Sequence, residues 1–199
     1  MSRARLRDGL AQIGQALREP ELFLWRWHTE GAPYGMGVFF ALALTAILGT
    51  TTYGLAMGIL GGPERMLESG LLCTAAAGIS WSLPLPALYI LNSLSGSKLR
   101  ASTTFLAALV TTSWGGLALI ASIPVTWFMT VSVPVPSVVL LVNLAVFGAV
   151  GVAMVDVFCR LLETLEPARG RLPAWWLALV GVIGAELFYA FGLFQFPVV

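Results

Sequence analysis

Three side chains able to do chemistry fall at a common depth in three different apolar runs. Glu186 is the only charged residue between Leu172 and the last residue. It lies about 13 residues into that run, roughly 20 Å along a helix rising 1.5 Å per residue. Asn143 and Tyr53 sit at a similar depth in two other runs. An ionised carboxylate costs several kcal/mol in hydrocarbon, so Glu186 must be protonated, paired, hydrated or turned toward protein. A network of Glu186, Asn143 and Tyr53 admits two readings. One is a proton or cation site. The other is a neutral carboxyl that ties helices together through hydrogen bonds. A second candidate is the stretch Ser80-Trp81-Ser82-Leu83-Pro84-Leu85-Pro86. Pro84 and Pro86 have no N–H, so two helix carbonyls lose their donors, and the hydroxyls of Ser80 and Ser82 are expected to help. A broken helix of this kind either lines a transport site or is a packed kink.

Elsewhere the chemistry is sparse. The chain has one histidine, His28, and two cysteines, Cys73 and Cys159. No group of residues has metal-ligand spacing, so no metal site is expected. One histidine cannot supply two axial haem ligands, which leaves only a singly ligated pigment or haem open. The cysteines read as small apolar packing residues. Phosphate-binding loops, dinucleotide fingerprints and the hydrolase and zinc-protease motifs are missing. The sequence therefore predicts no catalytic residues, no resident cofactor and no enzyme.

The elements that must position these groups follow from composition. The chain of 199 residues is 58% hydrophobic and 11% charged. Ordinary soluble domains are about 45–50% apolar and about 25% charged. That contrast excludes a soluble globular domain, a disordered chain and a nucleic-acid binder with a basic face. No charge occurs over residues 31–63, 69–97 or 101–155. The last of these is too long for one span of about 20 residues and fits two, joined by a turn at Pro134 and Pro136. Strands of a barrel would alternate polar and apolar positions, and these runs do not. The expected fold is all-α: a polytopic membrane protein with five transmembrane helices near 36–60, 70–94, 102–128, 137–159 and 173–196. Residues 31–199 form that domain, and residues 1–30 form a cytoplasmic segment carrying an amphipathic interfacial helix.

Orientation follows from charge. With the N-terminus in the cytoplasm, ten of the eleven lysines and arginines fall inside and only Arg65 falls outside. The C-terminus is then outside. No cleavable signal peptide is expected, because the first 30 residues lack a short apolar core. Leu6, Leu10, Ile13 and Leu17 form one stripe at helical spacing, with Ser2 as a cap and Pro20 marking the end. The stripe fits a membrane surface, with Arg3, Arg5 and Arg7 near anionic headgroups, and equally fits packing against this protein or a neighbour. Trp25 and Trp27 resemble an interfacial aromatic belt, beside His28. Asp156 and Arg160 form an i,i+4 boundary pair. Gly54/Gly58, Gly148/Gly151 and Gly181/Gly184/Ala185 have the spacing of close helix contacts.

Two segments carry a family resemblance. One runs Tyr53-Gly54-Leu55-Ala56-Met57-Gly58-Ile59-Leu60-Gly61-Gly62. The other runs Leu83-Pro84-Leu85-Pro86-Ala87-Leu88-Tyr89-Ile90-Leu91-Asn92-Ser93-Leu94-Ser95-Gly96. Together they resemble a group of uncharacterised bacterial five-span membrane proteins, which is similar in layout to the Yip (Rab-interacting) superfamily. The resemblance implies a five-span architecture in the bacterial inner (cytoplasmic) membrane and no particular reaction. The eukaryotic Yip signature is missing, so no Rab-linked role follows. The expected function is a non-catalytic integral membrane subunit or scaffold of a larger membrane protein complex, with the bilayer and other membrane subunits as partners and no nucleic acid. The alternative is a small transporter or permease built on Glu186, Asn143 and the Pro84/Pro86 break. A third reading is an accessory subunit next to a pigment, haem or quinone.

Overall fold

The computed structural model describes residues 3–31, 34–169 and 178–193, with side chains described from residue 11 onward. The side chains of Ser2, Arg3, Arg5, Arg7, Leu6 and Leu10 thus lie outside the described residues. Eight helices and no strand occur among the described residues. Helix α1 is Arg3–Arg18, α2 Pro20–Thr29, α3 Met36–Met57, α4 Gly62–Ser82, α5 Leu85–Leu94, α6 Ala101–Ser132, α7 Pro136–Leu165 and α8 Ala178–Ala190. Helix α3, the α4–α5 pair, α6 and α7 are long and apolar enough to cross a membrane, and α8 is a shorter apolar helix. The chain is an all-α, polytopic membrane protein. The ends of the fifth expected span, 173–177 and 194–196, lie outside the described residues.

Boundaries follow from local chemistry. Helix α3 stops at Met57, three residues before the expected end, where Gly58 opens a tight turn over Ile59–Gly61. Gly62 closes that turn at φ +80°, a conformation that favours glycine. Pro136 opens α7, where its fixed φ suits a first helical turn. Both α6 and α7 run past the expected 128 and 159, to Ser132 and Leu165. Pro124 lies within α6 without ending it.

Helix α3 is the hub, with α4 on one side and α6 on the other. Helix α7 packs on α6, and α8 packs chiefly on α4. Glycines set these approaches. The backbone of Gly49 in α3 lies against that of Gly116 in α6, so any Cβ at Gly49 would overlap it. A Cβ at Gly54 would come within 2.6 Å of the Ser69 carbonyl oxygen, and one at Gly58 within 2.6 Å of the Arg65 carbonyl oxygen. The Gly54/Gly58 pair therefore forms the α3–α4 contact that its spacing predicts. The other two glycine groups correct the expectation. A Cβ at Gly148, Gly151 or Gly181 would meet nothing within 4 Å, and only Gly184 touches a neighbour, Ser80. The right spacing is present, but apart from Gly184 these glycines meet no neighbouring helix.

At the N-terminal end, Phe23, Leu24, Leu42, Leu106, Val110 and Leu161 form a buried core. Helix α1 buries Ala16 and packs Leu17 there. Of the N-terminal stripe, Leu17 packs against the chain itself. Helix α2 docks on α7, where Arg160 pairs with Glu21 at 3.3 Å and with Asp156 at 3.1 Å. Such exposed pairs contribute little stability and act mainly as positional guides. The α5–α6 loop is clamped by Glu166 at the end of α7. Its carboxylate accepts from Ser97 Oγ and from the Lys98 N–H, both at 2.7 Å.

Overpacking a tight helix contact costs about 1–3 kcal/mol. Gly49→Ala is expected to lose stability in that range, and Gly148→Ala to be neutral or slightly stabilising through helix propensity. Unfolding titrations in mixed detergent and dodecyl sulfate measure both.

Candidate functional site

The buried polar centre joins three helices. Tyr53 projects from α3, Thr126 from α6 and Asn143 from α7, and all three are fully buried. The Tyr53 hydroxyl donates to Asn143 Oδ1 at 2.9 Å. A phenol has one proton, so the contact at 3.2 Å with Thr126 has the threonine hydroxyl as donor. Asn143 Nδ2 donates to the Val139 carbonyl at 2.8 Å. The Tyr53 ring meets Phe147 edge-on at 5.1 Å, and Phe147 meets Phe188 of α8 at 4.6 Å. Met57, Leu119 and Val150 pack around it. The arrangement can hold helices in register. It contains no acid or base that titrates near neutral pH.

Glu186 is not part of it. The sequence places the carboxyl at the right depth, but the structure puts it on the exposed outer face of α8. Phe188 is buried and Gly184 touches Ser80, so both face inward. Glu186 lies two residues from each and points nearly opposite at about 100° per residue. Among the described residues it makes no hydrogen bond and no ion pair. The expected triad of Glu186, Asn143 and Tyr53 is corrected to Tyr53, Asn143 and Thr126. Thr126 escapes sequence reasoning because a threonine inside a helix commonly bonds its own backbone, as Thr111 does to Ala107. Only its depth, matching that of Tyr53 and Asn143, could have flagged it.

The proline break joins two helices. Helix α4 ends at Ser82, and α5 starts at Leu85. Ser80 Oγ donates to the Ala76 carbonyl at 2.6 Å and Ser82 Oγ to the Gly78 carbonyl at 2.7 Å. Both hydroxyls therefore bond one turn upstream, contrary to the expectation that they would serve the carbonyls freed by Pro84 and Pro86. The backbone ladder resumes with the Leu88 N–H on the Pro84 carbonyl at 2.9 Å. Pro84 is buried, Pro86 is exposed, and Trp81 packs edge-on against Phe158 of α7. Cys73 is buried with Ala76 and Phe188, and Cys159 lies in the core beside Phe158.

At the N-terminal end of the bundle lies a half-open groove of about 290 Å³. Trp27, His28, Gly31, Tyr34, Arg100, Ser102 and Thr103 line it. Tyr34 is stacked between Phe23, at 4.1 Å, and Trp27, at 5.9 Å, and its hydroxyl donates to the Phe23 carbonyl. Burial raises the Tyr34 phenol pKa. The nearby Arg26 lowers it and Glu30 raises it, each by less. Of the two tryptophans read as an interfacial belt, Trp25 is exposed, while Trp27 is half-buried in this aromatic stack with Phe39.

Comparison with protein-family models, curated proteins and solved structures gives no match. The functional reading therefore rests on these residues.

Tyr53→Phe removes the donor to Asn143 and the acceptor for Thr126. A loss of roughly 1–2 kcal/mol is expected, in line with interhelical hydrogen bonds in membranes. The same unfolding titration reads it, and no change would show that the network holds nothing.

Proposed function

We propose that this chain is a non-catalytic integral membrane subunit that docks a partner's transmembrane helix over the outer face of α8. The supporting observation is Glu186. Its carboxyl is exposed on an apolar helix beside Val182 and Tyr189, without a partner among the described residues. Gly192, whose carbonyl accepts from Arg65, is six residues further along, about 9 Å at the helical rise. Hydrocarbon penalises a carboxyl at that depth. A partner helix offering an amide, hydroxyl or cationic side chain removes the penalty. Gly181 and Ala185 on the same helix allow a close approach.

The transporter alternative is less well supported. It needs Glu186 to share a site with Asn143 and Tyr53, and the carboxyl points away from both. At the break Pro84 is buried, while Ser82, Leu83 and Pro86 are exposed on the outer surface. A cytoplasmic N-terminus follows from the charge bias, and placement in a bacterial inner membrane follows from the resemblance to the five-span group.

Purification of the tagged full chain in mild detergent, with native mass measurement, tests the proposal. A partner is expected at fixed stoichiometry, reduced at least about fivefold by Glu186→Leu, with the variant still folded. A wild-type chain recovered without any partner contradicts the subunit reading. Flux lost in Glu186→Gln vesicles would favour transport instead.

A further inference from the structure

We infer that the buried hydroxyl of Thr130 marks a binding site for one ordered water molecule, shared with Thr126 and Asn143 and reached from the nearer membrane surface. Thr130 is only 1% exposed, and its Oγ1 has no hydrogen-bond partner among the described residues. An unpaired buried hydroxyl carries its full desolvation penalty, and folded proteins commonly meet such groups with internal water. Thr111 shows the ordinary alternative on the same helix, where the hydroxyl donates to the Ala107 carbonyl one turn back. The Thr130 hydroxyl makes no such bond.

The neighbouring groups have capacity left for a water. Thr126 is one turn back on the same face of α6, with its Cβ about 5–6 Å away. It is fully buried, and its one proton goes to Tyr53, so its oxygen can still accept. Asn143 Nδ2 carries two protons and uses one of them, on the Val139 carbonyl. Four residues separate Thr126 from Thr130, and four separate Val139 from Asn143. Helices α6 and α7 run antiparallel across the short link at 133–135. Thr126 and Asn143 are level, because both bond the Tyr53 hydroxyl, so Thr130 is level with Val139. A water among these side chains accepts from Thr130 and from the second Nδ2 proton, and donates to Thr126. Three bonds are the usual number for an internal water. The set is neutral and mixes donors with an acceptor, which suits water better than an ion that these surroundings would leave uncompensated. Thr104 is the other buried hydroxyl without a partner, but one turn on it is followed by Ala107 and Ala108, which offer no side-chain partner. Access is short. Thr130 lies two residues before the end of α6 at Ser132, about 3 Å at the helical rise, and residues 133–135 are exposed.

This inference is independent of the Glu186 surface. Its first test is a crystal structure of the full chain grown in a lipid mesophase. Density for a water is expected within hydrogen-bond distance of Thr130 Oγ1 and of Thr126 Oγ1 or Asn143 Nδ2. A wild-type map with nothing there overturns the inference. The second test compares Thr130→Val in the wild-type and Thr126→Val backgrounds by unfolding titration in mixed detergent and dodecyl sulfate. Valine keeps the shape of threonine, so packing is retained. Removing an unserved hydroxyl would raise the unfolding midpoint. Removing one that holds a shared water lowers it, and lowers it less once Thr126 has lost its oxygen. The second pattern is expected. A raised midpoint, or a loss of equal size in both backgrounds, overturns the inference.

Discussion

The backbone contact between Gly49 of α3 and Gly116 of α6 sets the geometry on which the rest of the bundle depends. Between lipid-solvated helices the hydrophobic effect supplies no drive to associate. Close packing and hydrogen bonds remain. A side chain at Gly49 would push the helices apart. Tyr53 is one turn further along the same face of α3, so the approach at Gly49 brings the phenol across the α6 seam to Asn143 of α7. On its other side α3 repeats the device, with Gly54 and Gly58 against the backbone of α4. One helix thereby fixes both neighbours, and α7 and α8 attach to those neighbours.

That hierarchy explains what is legible in the sequence. Depth along each span is written in the charge-free runs, which is why Tyr53 and Asn143 can be matched from sequence. Rotation about each helix axis is not written there, because α3, α6 and α8 are apolar all round and lack an amphipathic stripe to orient them. Glu186 has the expected depth and the opposite direction for this reason. The glycines make the same point. Gly49 has no glycine four positions away on its own helix, and its complement, Gly116, is on another. Gly148 and Gly151 carry suggestive spacing and face outward. Asp156–Arg160 is readable as a local pair, whereas Glu21 joins Arg160 only through the docking of α2.

The two ends of the molecule carry different chemistry. At the α1–α2 end the charges are organised by structure: Glu166 clamps a loop, Arg160 bridges two helices, and Arg100 opens α6 beside an aromatic wall. Toward the other end Tyr53, Thr126 and Asn143 turn inward and satisfy one another, whereas Glu186 faces outward. A fold that buries Tyr53, Thr126 and Asn143 together while leaving a carboxyl on an apolar outer face has separated structural polarity from polarity available to a partner.

Coverage of Glu186 by a partner in the native membrane is the central claim. A hydrophobic carbodiimide, which modifies protonated carboxyl groups within apolar surroundings, tests it most directly. Glu186 is expected to be modified in the isolated chain and protected in native membranes. Equal modification in both settings would contradict the claim, as would an isolated chain in which Glu186 does not react.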